Sequence, residues 1–203
     1  MSPKVSAEYK EKKRLQILHS ATEVFCKKGF EPTTMKDIKE AASISFGSLY
    51  FYFSSTEEIF LGILELSHSR RDFQEKIAFS TAWEKIEYFL DSQTENSENI
   101  DSSIVPVAYE YFMTSWREKK RLAILENRYE QATKELLSLI QNGITTGEFL
   151  PIISAEVIAK TIISTLEGLN ISSLFLKKDL VEARNQINTL KLIIKHLLQI
   201  QEE

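Results

Sequence analysis

Eight consecutive residues, 45–52, carry the side chains with the most definite chemistry in this sequence. They read Ser-Phe-Gly-Ser-Leu-Tyr-Phe-Tyr, so hydroxyl groups and aromatic rings occur together without any charged residue. Hydroxyl groups donate hydrogen bonds to phosphate oxygens, whereas small and apolar side chains can approach base edges. Phe46 cannot donate a hydrogen bond, and its expected partner is therefore a thymine methyl group. On the outer face of a suitably placed helix, these side chains suit contact with nucleic acid.

Two short helices are predicted to position these side chains. Thr34 is the predicted N-cap of the first helix, whose apolar period ends at Ser43. Ser45 is the predicted N-cap of the second helix, residues 46–53, whose Leu49 is expected to turn inward. Helix, three-residue turn and helix, with a small and hydroxyl-rich outer face on the second helix, are typical of a DNA-binding helix-turn-helix.

Residues 17–60 resemble the N-terminal domain of TetR-family transcriptional regulators. Members of that family share an apolar helix ending in Phe-x-x-x-Gly-Phe or Tyr, a Thr-Thr helix start, and Leu-Tyr-x-Tyr-Phe before an acidic helix start. Two positions depart from the pattern: Ser43 stands where the family usually has Gly, and Thr56 where it usually has Lys. A left-handed backbone at Ser43 would cost on the order of 1 kcal/mol. The matching residues are Ala21, Phe25, Gly29, Phe30, Thr33, Thr34, Ile38, Leu49, Tyr50, Phe51, Tyr52, Phe53, Glu57 and Glu58.

The resemblance implies a ligand-responsive homodimeric repressor whose second short helix enters the major groove of double-stranded DNA. Each subunit would bind one half of a near-palindromic operator, and a small apolar or aromatic ligand would control binding. Hydroxyl groups and the helix start at residues 34–36 are expected to contact phosphates, and the outer face of residues 46–51 is expected to contact base edges. The predicted DNA-contacting residues are Thr34, Lys36, Ser45, Phe46, Gly47, Ser48, Tyr50, Phe51, Tyr52 and Thr56.

The composition predicts an all-α protein of about nine helices. The 203 residues are 43% apolar and include only 6 Gly and 4 Pro. We predict a three-helix DNA-binding domain over residues 1–55 and a larger helical ligand-binding and dimerisation domain over residues 56–203. The absence of a signal peptide and of a long apolar run predicts a soluble cytoplasmic protein with no membrane partner. The single cysteine, Cys26, lies in an apolar helix and is expected to be buried.

The net charge of −4 conceals an uneven distribution. Residues 1–55 contain nine Lys or Arg and six Asp or Glu, a balance of +3, which leaves −7 for the remainder. A basic segment next to an acidic one suits a protein that touches few phosphates and is repelled by DNA elsewhere. The cluster Lys10, Lys12, Lys13 and Arg14 is either a solvated helix start or a set of contacts along the DNA backbone.

The larger domain is predicted to begin with a helix that links it to the first. This helix is expected to start at a capping box, Ser55 with Glu58, and to continue to about Phe79. The polar run 91–103 is predicted to be a flexible loop. The last two helices, residues 154–176 and 179–201, carry more apolar surface than one neighbour covers, which favours a homodimer over a single thick intrachain core. The predicted interface consists of Ser164, Gly168, Ser172, Ile187, Leu190, Ile194 and Leu197.

Aromatic residues are concentrated between residues 73 and 129. They either form an ordinary core or line a ligand cavity, and the family resemblance favours the cavity. Residues 143–149, Gly-x-x-x-Gly-Glu-Phe, also resemble a segment that joins the seventh and eighth helices of the family. Glu110 is a further polar candidate inside such a pocket. The predicted pocket residues are His68, Trp83, Phe89, Tyr109, Phe112, Met113, Trp116, Tyr129, Glu167 and Asn170.

The sequence lacks the usual arrangements of catalytic and metal-binding residues. Its three histidines are scattered, and no Cys or His lies near them at metal-ligand spacing. It contains neither a phosphate-binding glycine loop nor a nucleophile-elbow motif. We therefore predict no catalytic residue, no metal, no cofactor and no enzymatic activity. The alternative function is a helical small-molecule-binding or scaffold protein that no longer binds DNA, which the departures at Ser43 and Thr56 leave open.

Overall fold

The computed structural model describes residues 6–72, 78–114 and 116–200, apart from the side chains of residues 68–72. Within these ranges all regular structure is helical, as predicted, and no helix is long and apolar enough to cross a membrane. A 3₁₀ helix covers Ile100–Ser102. The α-helices are α1 (Ala7–Lys28), α2 (Met35–Ala41), α3 (Phe46–Tyr52), α4 (Thr56–Asp72), α5 (Ala82–Glu98), α6 (Val105–Thr114), α7 (Lys119–Thr145), α8 (Ala155–Phe175), α9 (Lys178–Val181) and α10 (Ala183–Leu198).

The helices form two compact units. The first unit contains α1–α4 together with α6, and the second contains α5 and α7–α10. The predicted boundary after residue 55 separates α4 from α1, whereas the structure packs these two helices against each other in the first unit. The helix α6 belongs to the first unit although the helices before and after it in the chain belong to the second.

Hydrogen bonds at the helix starts explain why the two short helices form. The Thr34 hydroxyl accepts from the backbone N–H of Asp37 at 3.3 Å, and the Asp37 carboxylate accepts from the backbone N–H of Thr34 at 2.9 Å. The Ser45 hydroxyl accepts from the backbone N–H of Ser48 at 3.1 Å. Each bond satisfies an amide that the helix itself leaves free. Both predicted N-caps are confirmed.

The helix α4 begins as predicted but does not continue to Phe79. The backbone N–H of Glu58 donates to the Ser55 hydroxyl at 3.1 Å, and the Glu58 carboxylate accepts from the backbone N–H of Ser54 at 2.6 Å. The helix is described as far as Asp72, residues 73–77 lie outside the described residues, and Phe79 is not helical. The prediction of one continuous helix to Phe79 is therefore wrong at its end.

A cluster of aromatic rings fills the core of the first unit. The Phe60 ring is fully buried, and its centroid lies 5.2 Å from that of Phe25, 5.1 Å from that of Phe30 and 5.1 Å from that of Tyr111. Aromatic pairs at such distances stabilise a core beyond the burial of their area. Helices α1, α4 and α6 thus meet in one core, which holds α2 and α3 in place through buried Ile38 and Leu49.

Two carboxylates join α6 to the rest of the first unit. The Glu110 carboxylate accepts hydrogen bonds from the backbone N–H groups of Phe30, at 3.0 Å, and Glu31, at 3.2 Å. The Tyr111 hydroxyl donates to the Glu57 carboxylate at 2.8 Å. Glu110 was a candidate for a polar group inside a ligand pocket, but the structure uses its carboxylate to hold the loop between α1 and α2.

The polar run at residues 91–103 is mostly helical, contrary to the prediction of a flexible loop. The helix α5 continues through Glu98 because the run makes buried contacts inside the second unit. The Ser97 side chain is buried, and its hydroxyl donates to the Asn170 amide oxygen on α8 at 3.0 Å. The Lys191 ammonium on α10 contacts the Asp91 carboxylate at 2.6 Å. Polar composition alone did not reveal these partners, which lie far away in the sequence.

The Gly-x-x-x-Gly-Glu-Phe segment holds the end of α7 to the start of α5. A Cβ on Gly143 would lie only 2.2 Å from a ring carbon of Phe149, so only glycine admits the buried ring there. The Glu148 carboxylate accepts from the backbone N–H groups of Ala82, at 2.7 Å, and Trp83, at 2.8 Å. These amides open α5, where negative charge is favourable. The segment therefore closes the second unit through packing and capping together.

The predicted last helix is interrupted near its start. Glu182 has a φ of +48°, a left-handed conformation that ends α9 and precedes α10. The interruption lets Val181 and Ala183, on its two sides, both be buried in the second unit. The prediction of a single helix over residues 179–201 is wrong at this point.

Three side chains that were expected inside are exposed. Cys26 lies about 100° around α1 from buried Phe25 and is exposed. Helical spacing also predicts that Leu125 and Tyr129, on the first half of α7, belong to an inward stripe, but they are 40% and 38% exposed. Their stripe on α7 becomes buried only from Thr133 onward. Helical spacing located the stripe correctly but not the length over which neighbouring helices cover it.

Candidate nucleic-acid interface

The turn between α2 and α3 depends on a left-handed residue. Ser43 has a φ of 51°, in the region that favours glycine, so the family's usual glycine has a conformational reason here. The turn is held by two backbone hydrogen bonds, from Ser43 N–H to the Glu40 carbonyl at 3.1 Å and from Ile44 N–H to the Lys39 carbonyl at 3.2 Å. The serine costs on the order of 1 kcal/mol but does not prevent the turn.

The helix α3 presents aromatic rings to solvent on one side and a single apolar anchor on the other. Leu49 is fully buried, whereas Phe46, Tyr50 and Phe51 are 44%, 55% and 65% exposed. Soluble proteins rarely expose three large rings on seven residues unless the surface binds something. The anchor fixes the helix in the first unit, and the exposed rings remain available for a partner.

The exposed rings form an ordered surface. The rings of Phe46 and Tyr50 are stacked, with centroids 6.1 Å apart and an interplanar angle of 22°. Those of Phe51 and Tyr52 meet edge to face at 5.1 Å. A Cβ on Gly47 would meet nothing within 4 Å, so the space above it is open to a base edge. The surface suits apolar contact with thymine methyl groups in a major groove.

All ten predicted DNA contacts lie in the first unit, and all are exposed or partly exposed. The Thr34 hydroxyl is already used locally, because it donates to the Asp37 carboxylate at 2.7 Å. The Lys28 ammonium, 2.6 Å from that carboxylate, holds the pKa of Asp37 well below its usual range, with help from Thr34. Asp37 thus stays ionised beside the start of α2, and Lys36 is an exposed cation in the first turn of the same helix.

Two lysines from other helices lie at this surface: the sequence did not indicate Lys39 and left the role of Lys10 open. The Lys39 ammonium lies 5.3 Å from the centroid of the Phe46 ring, and that of Lys10 lies 5.5 Å from the centroid of the Phe51 ring. Lys39 follows the buried Ile38 on α2, and nothing in the sequence around it indicates that its side chain reaches α3. Its contact depends on the turn that brings the two helices together.

The predicted ligand-pocket residues are divided between the two units. Tyr109, Phe112 and Met113 lie on α6 in the first unit, and Trp83 belongs to the core of the second. Trp116 is 63% exposed. The side chain of His68 lies outside the described residues. The remaining candidates, Phe89, Tyr129, Glu167 and Asn170, lie in the second unit.

The clefts described within the second unit do not match the predicted pocket. None of the three is lined by a predicted pocket residue. One of about 430 Å³ lies where α5 and α8 end, and charged groups such as Glu98, Lys177 and Arg184 line it. The predicted apolar pocket therefore stays a prediction, while ordinary core packing explains Trp83.

Three residues of the predicted dimer interface are buried within the chain's own core. Ile187, Leu190 and Ile194 are 1%, 4% and 0% exposed because α10 packs them against α5 and α8 within the same chain. Leu197 also packs against this core and is partly buried. Ser164 and Gly168 on α8 are exposed, and Ser172 is partly exposed. The outward apolar residues of α10 are instead Leu192 and Ile193, at 65% and 48% exposed.

The features of the two units define a class of protein. The first unit is a helix-turn-helix with an exposed, uncharged second helix and cations on the helices beside it. The described residues contain no group of three or more His, Cys, Asp or Glu side chains that could hold a metal. These features define an all-helical DNA-binding protein with a second helical unit.

Comparison with known proteins identifies the family. Residues 17–63 match the family model described as "Bacterial regulatory proteins, tetR family", and residues 85–184 match "Tetracyclin repressor-like, C-terminal domain". The chain is 37% identical over 205 residues to the uncharacterised HTH-type transcriptional regulator YfiR of Bacillus subtilis (strain 168), with 100% of both chains covered. The protein belongs to the TetR family and is a DNA-binding transcriptional regulator.

One further relative and one solved structure are similar to this chain. The HTH-type transcriptional regulator QacR of Staphylococcus aureus (strain Mu50) is 33% identical over 122 residues, covering 58% of this chain and 64% of QacR. The solved structure of GusR from Salmonella enterica has the same fold, with a TM-score of 0.73 and 22% identity over 96% of this chain and 98% of that one. The resemblance stated from residues 17–60 is confirmed.

Proposed function

We propose that the protein is a homodimeric repressor that releases its operator when a small apolar or aromatic ligand binds. Each subunit places α3 in the major groove of one half of a near-palindromic site. Family membership supports repression and dimerisation, and it makes an enzymatic role unnecessary to explain any feature of the chain. One observation carries the DNA-binding part: α3 exposes Phe46, Tyr50 and Phe51 while Leu49 anchors it.

Tyr50→Ala is expected to lower operator affinity without lowering stability. Tyr50 is 55% exposed and stacks on Phe46, so its loss removes both a hydroxyl donor and the support of a neighbouring reading residue. A lost base or phosphate contact costs about 1–3 kcal/mol, or roughly 5–150-fold in affinity. The measurement is a mobility-shift titration with DNA from beside the protein's own coding region.

Tyr9→Ala is the matched control for this experiment. Tyr9 is also an exposed tyrosine, at 56%, but it lies on the first turns of α1. Its removal should leave operator affinity within about twofold, since most surface substitutions change little. Equal affinities for the parent and Tyr50→Ala, with unchanged circular dichroism, would show that α3 does not read the operator.

The outer face of α8 supports a homodimer. Val157, Thr161, Ser164, Gly168, Ile171 and Phe175 recur at intervals of three and four residues, and each is exposed. Such a stripe is the surface by which one helix packs on another. We propose that this stripe, with Leu192 and Ile193 of α10, replaces the buried α10 residues of the sequence-based prediction. The dimer would set the spacing of the two α3 helices, about 34–36 Å or a multiple.

Gly168→Leu should weaken the dimer by roughly 5–150-fold. A Cβ on Gly168 meets nothing within 4 Å in its own chain, so the larger side chain fits the isolated subunit. Any loss of association then reports a clash with a partner, for which overpacking costs about 1–3 kcal/mol. Sedimentation at micromolar concentrations measures it, with Ser138→Leu, at an exposed position of α7, as the control. A monomeric parent protein would disprove the dimer.

The position of α6 supports a role for this helix in transmitting ligand binding. Its side chains belong to the first unit, while α5 and α7, to which it is covalently joined, belong to the second. A ligand that favours one arrangement of the second unit would act on DNA affinity to the extent that it shifts α6. The sequence predicted α4 as the connecting helix; α6 is a further connection with identified contacts in the first unit.

A further inference from the structure

The helix α3, which we call the reading helix because it is proposed to contact the bases, has no charged side chain. Residues 46–52 contain neither Lys nor Arg, and Thr56 at the start of α4 is also uncharged. Yet phosphate neutralisation by cations supplies most non-specific affinity for DNA and much of the specific affinity. The cations that serve α3 must therefore come from other helices.

Two lysines from different helices hold their ammonium groups over exposed rings of α3. Lys39 of α2 lies 5.3 Å from the ring centroid of Phe46, the first residue of α3. Lys10 of α1 lies 5.5 Å from the ring centroid of Phe51, near the last residue of α3. An ammonium over an aromatic face is attracted by the ring and is thereby kept near it.

The two rings mark opposite ends of the reading helix. Phe46 and Phe51 are five residues apart, which corresponds to about 7.5 Å along the axis, and their side chains extend the separation. The major groove is about 12 Å wide and has a phosphate backbone on each side. Amines at the two ends of a helix lying in the groove are thus suited to meet phosphates of the two strands.

Both ammonium groups are available for such contacts. In the part of the chain that the structure describes, neither Lys10 nor Lys39 forms an ion pair with a carboxylate. Two other cations of the first unit are engaged: Lys28 pairs with Asp37, and Arg14 pairs with Glu11 and Glu65. A lysine ammonium has three donors, so contact with a ring face leaves donors for a phosphate.

We propose that Lys10 and Lys39 form a phosphate clamp at the two ends of α3, each positioned by the ring beneath it. The clamp supplies the charge that the reading helix and Thr56 lack. It rests on the proposed operator binding by α3, and it adds the residues that hold the two phosphate backbones. Phe46 and Phe51 then have a second role as platforms for the amines.

The test is the salt dependence of DNA binding by Lys10→Gln, Lys39→Gln and the double variant. Each lost phosphate contact should reduce the slope of log affinity against log salt by about 0.9, and the double variant should lose about 1.8. Near 0.15 M salt one contact corresponds to roughly fivefold in affinity. The loss should be equal on DNA from beside the coding region and on an unrelated duplex. Lys27→Gln, an exposed lysine in the last turn of α1, is the matched control and should keep the parent slope.

A second pair of variants tests the platforms. Phe46→Leu and Phe51→Leu change no charge, so a reduced salt slope in either reports that an amine has left its phosphate. Combining Phe51→Leu with Lys10→Gln should then lower the slope no further than Lys10→Gln alone. Both rings are exposed, so each variant is expected to fold, and circular dichroism checks this.

The outcomes separate the clamp from the proposed function. A parent protein that binds neither duplex overturns operator binding and the clamp with it. A parent that binds, with slopes unchanged in both lysine variants, overturns the clamp alone. A loss confined to one base pair of the operator shows that the amine reads a base, which also contradicts a phosphate clamp.

Discussion

Phe60→Ala is expected to destabilise the first unit by about 3–5 kcal/mol, the range for removing a large buried ring. The Phe60 side chain is fully buried, and three aromatic rings from α1, its following loop and α6 lie within 5.1–5.2 Å of its centroid. Its removal would leave a cavity between helices that hold α2 and α3 in place. DNA binding should fail because the helix-turn-helix is no longer held.

Phe51→Ala is the comparison variant for Phe60→Ala. It is the same substitution on a ring that is 65% exposed, so stability should change by about 0.5 kcal/mol or less. Operator affinity should nevertheless fall, because the ring belongs to the proposed reading face. The two variants would thus lose DNA binding for different reasons, one through unfolding and one at constant stability.

Hydrogen exchange measured by mass spectrometry distinguishes the two cases. Peptides from α1 and α4 should lose protection by roughly two to three and a half orders of magnitude in Phe60→Ala. This loss corresponds to the expected decrease of about 3–5 kcal/mol in the free energy of unfolding. The same peptides should be unaffected in Phe51→Ala. Parent-like protection in Phe60→Ala would mean that the first unit does not depend on the aromatic core.

Glu110→Ala is the substitution expected to reduce the ligand response most. The carboxylate accepts from two backbone N–H groups, of Phe30 and Glu31, in the loop that precedes α2. Hydrogen bonds to a charged group contribute about 1.5–3 kcal/mol when buried, and we expect about 2 kcal/mol for this part-buried pair. Without them α6 can shift while the loop before the helix-turn-helix stays in place.

The measurement is operator titration of parent and variant with and without a ligand that co-purifies with the protein. Coupling between sites is typically about 1–3 kcal/mol, or roughly 5–150-fold in DNA affinity, and it should fall towards zero in Glu110→Ala. Glu23→Ala removes an exposed glutamate of α1 and should keep the full response. Full coupling in Glu110→Ala would exclude this contact as the route and leave α4 as the connecting helix.

The uncharged α3 has a consequence for how the protein would find its operator. If the positive charge comes from α1 and α2, then affinity and specificity are carried by different helices. Substitutions on α3 should change which sequence is preferred, whereas those at Lys10 and Lys39 should change affinity for all DNA alike. This division would permit the reading face to change without loss of general DNA affinity.

Local features of the sequence predicted the helix-turn-helix correctly. The caps at Thr34 and Ser45 involve partners three residues along the chain, and the helix that starts at Ser45 turns Leu49 inward. Such contacts are specified by spacing alone, because helical geometry brings residues three and four apart together. Even the left-handed turn at Ser43 was anticipated, from the glycine that the family has there.

Features that depend on distant partners were predicted less well. The run 91–103 looked like a loop because its partners, Asn170 and Lys191, lie more than 70 residues away. Spacing identified the stripe of Ile187, Leu190 and Ile194, but it did not show whether α5 or a second subunit covers it. In each case the sequence showed the pattern of residues but not the helix or subunit that contacts them.

The sequence by itself determined the helical class, the position of the helix-turn-helix and the family. Only the tertiary structure placed α6 in the first unit and set Lys39 beside Phe46. It also showed that Gly143 is required by the Phe149 ring. Helix periods and caps arise from hydrogen bonds and packing between near neighbours in the chain. The placement of α6 and Lys39 arises from contacts between different helices, whose pairing no local period specifies.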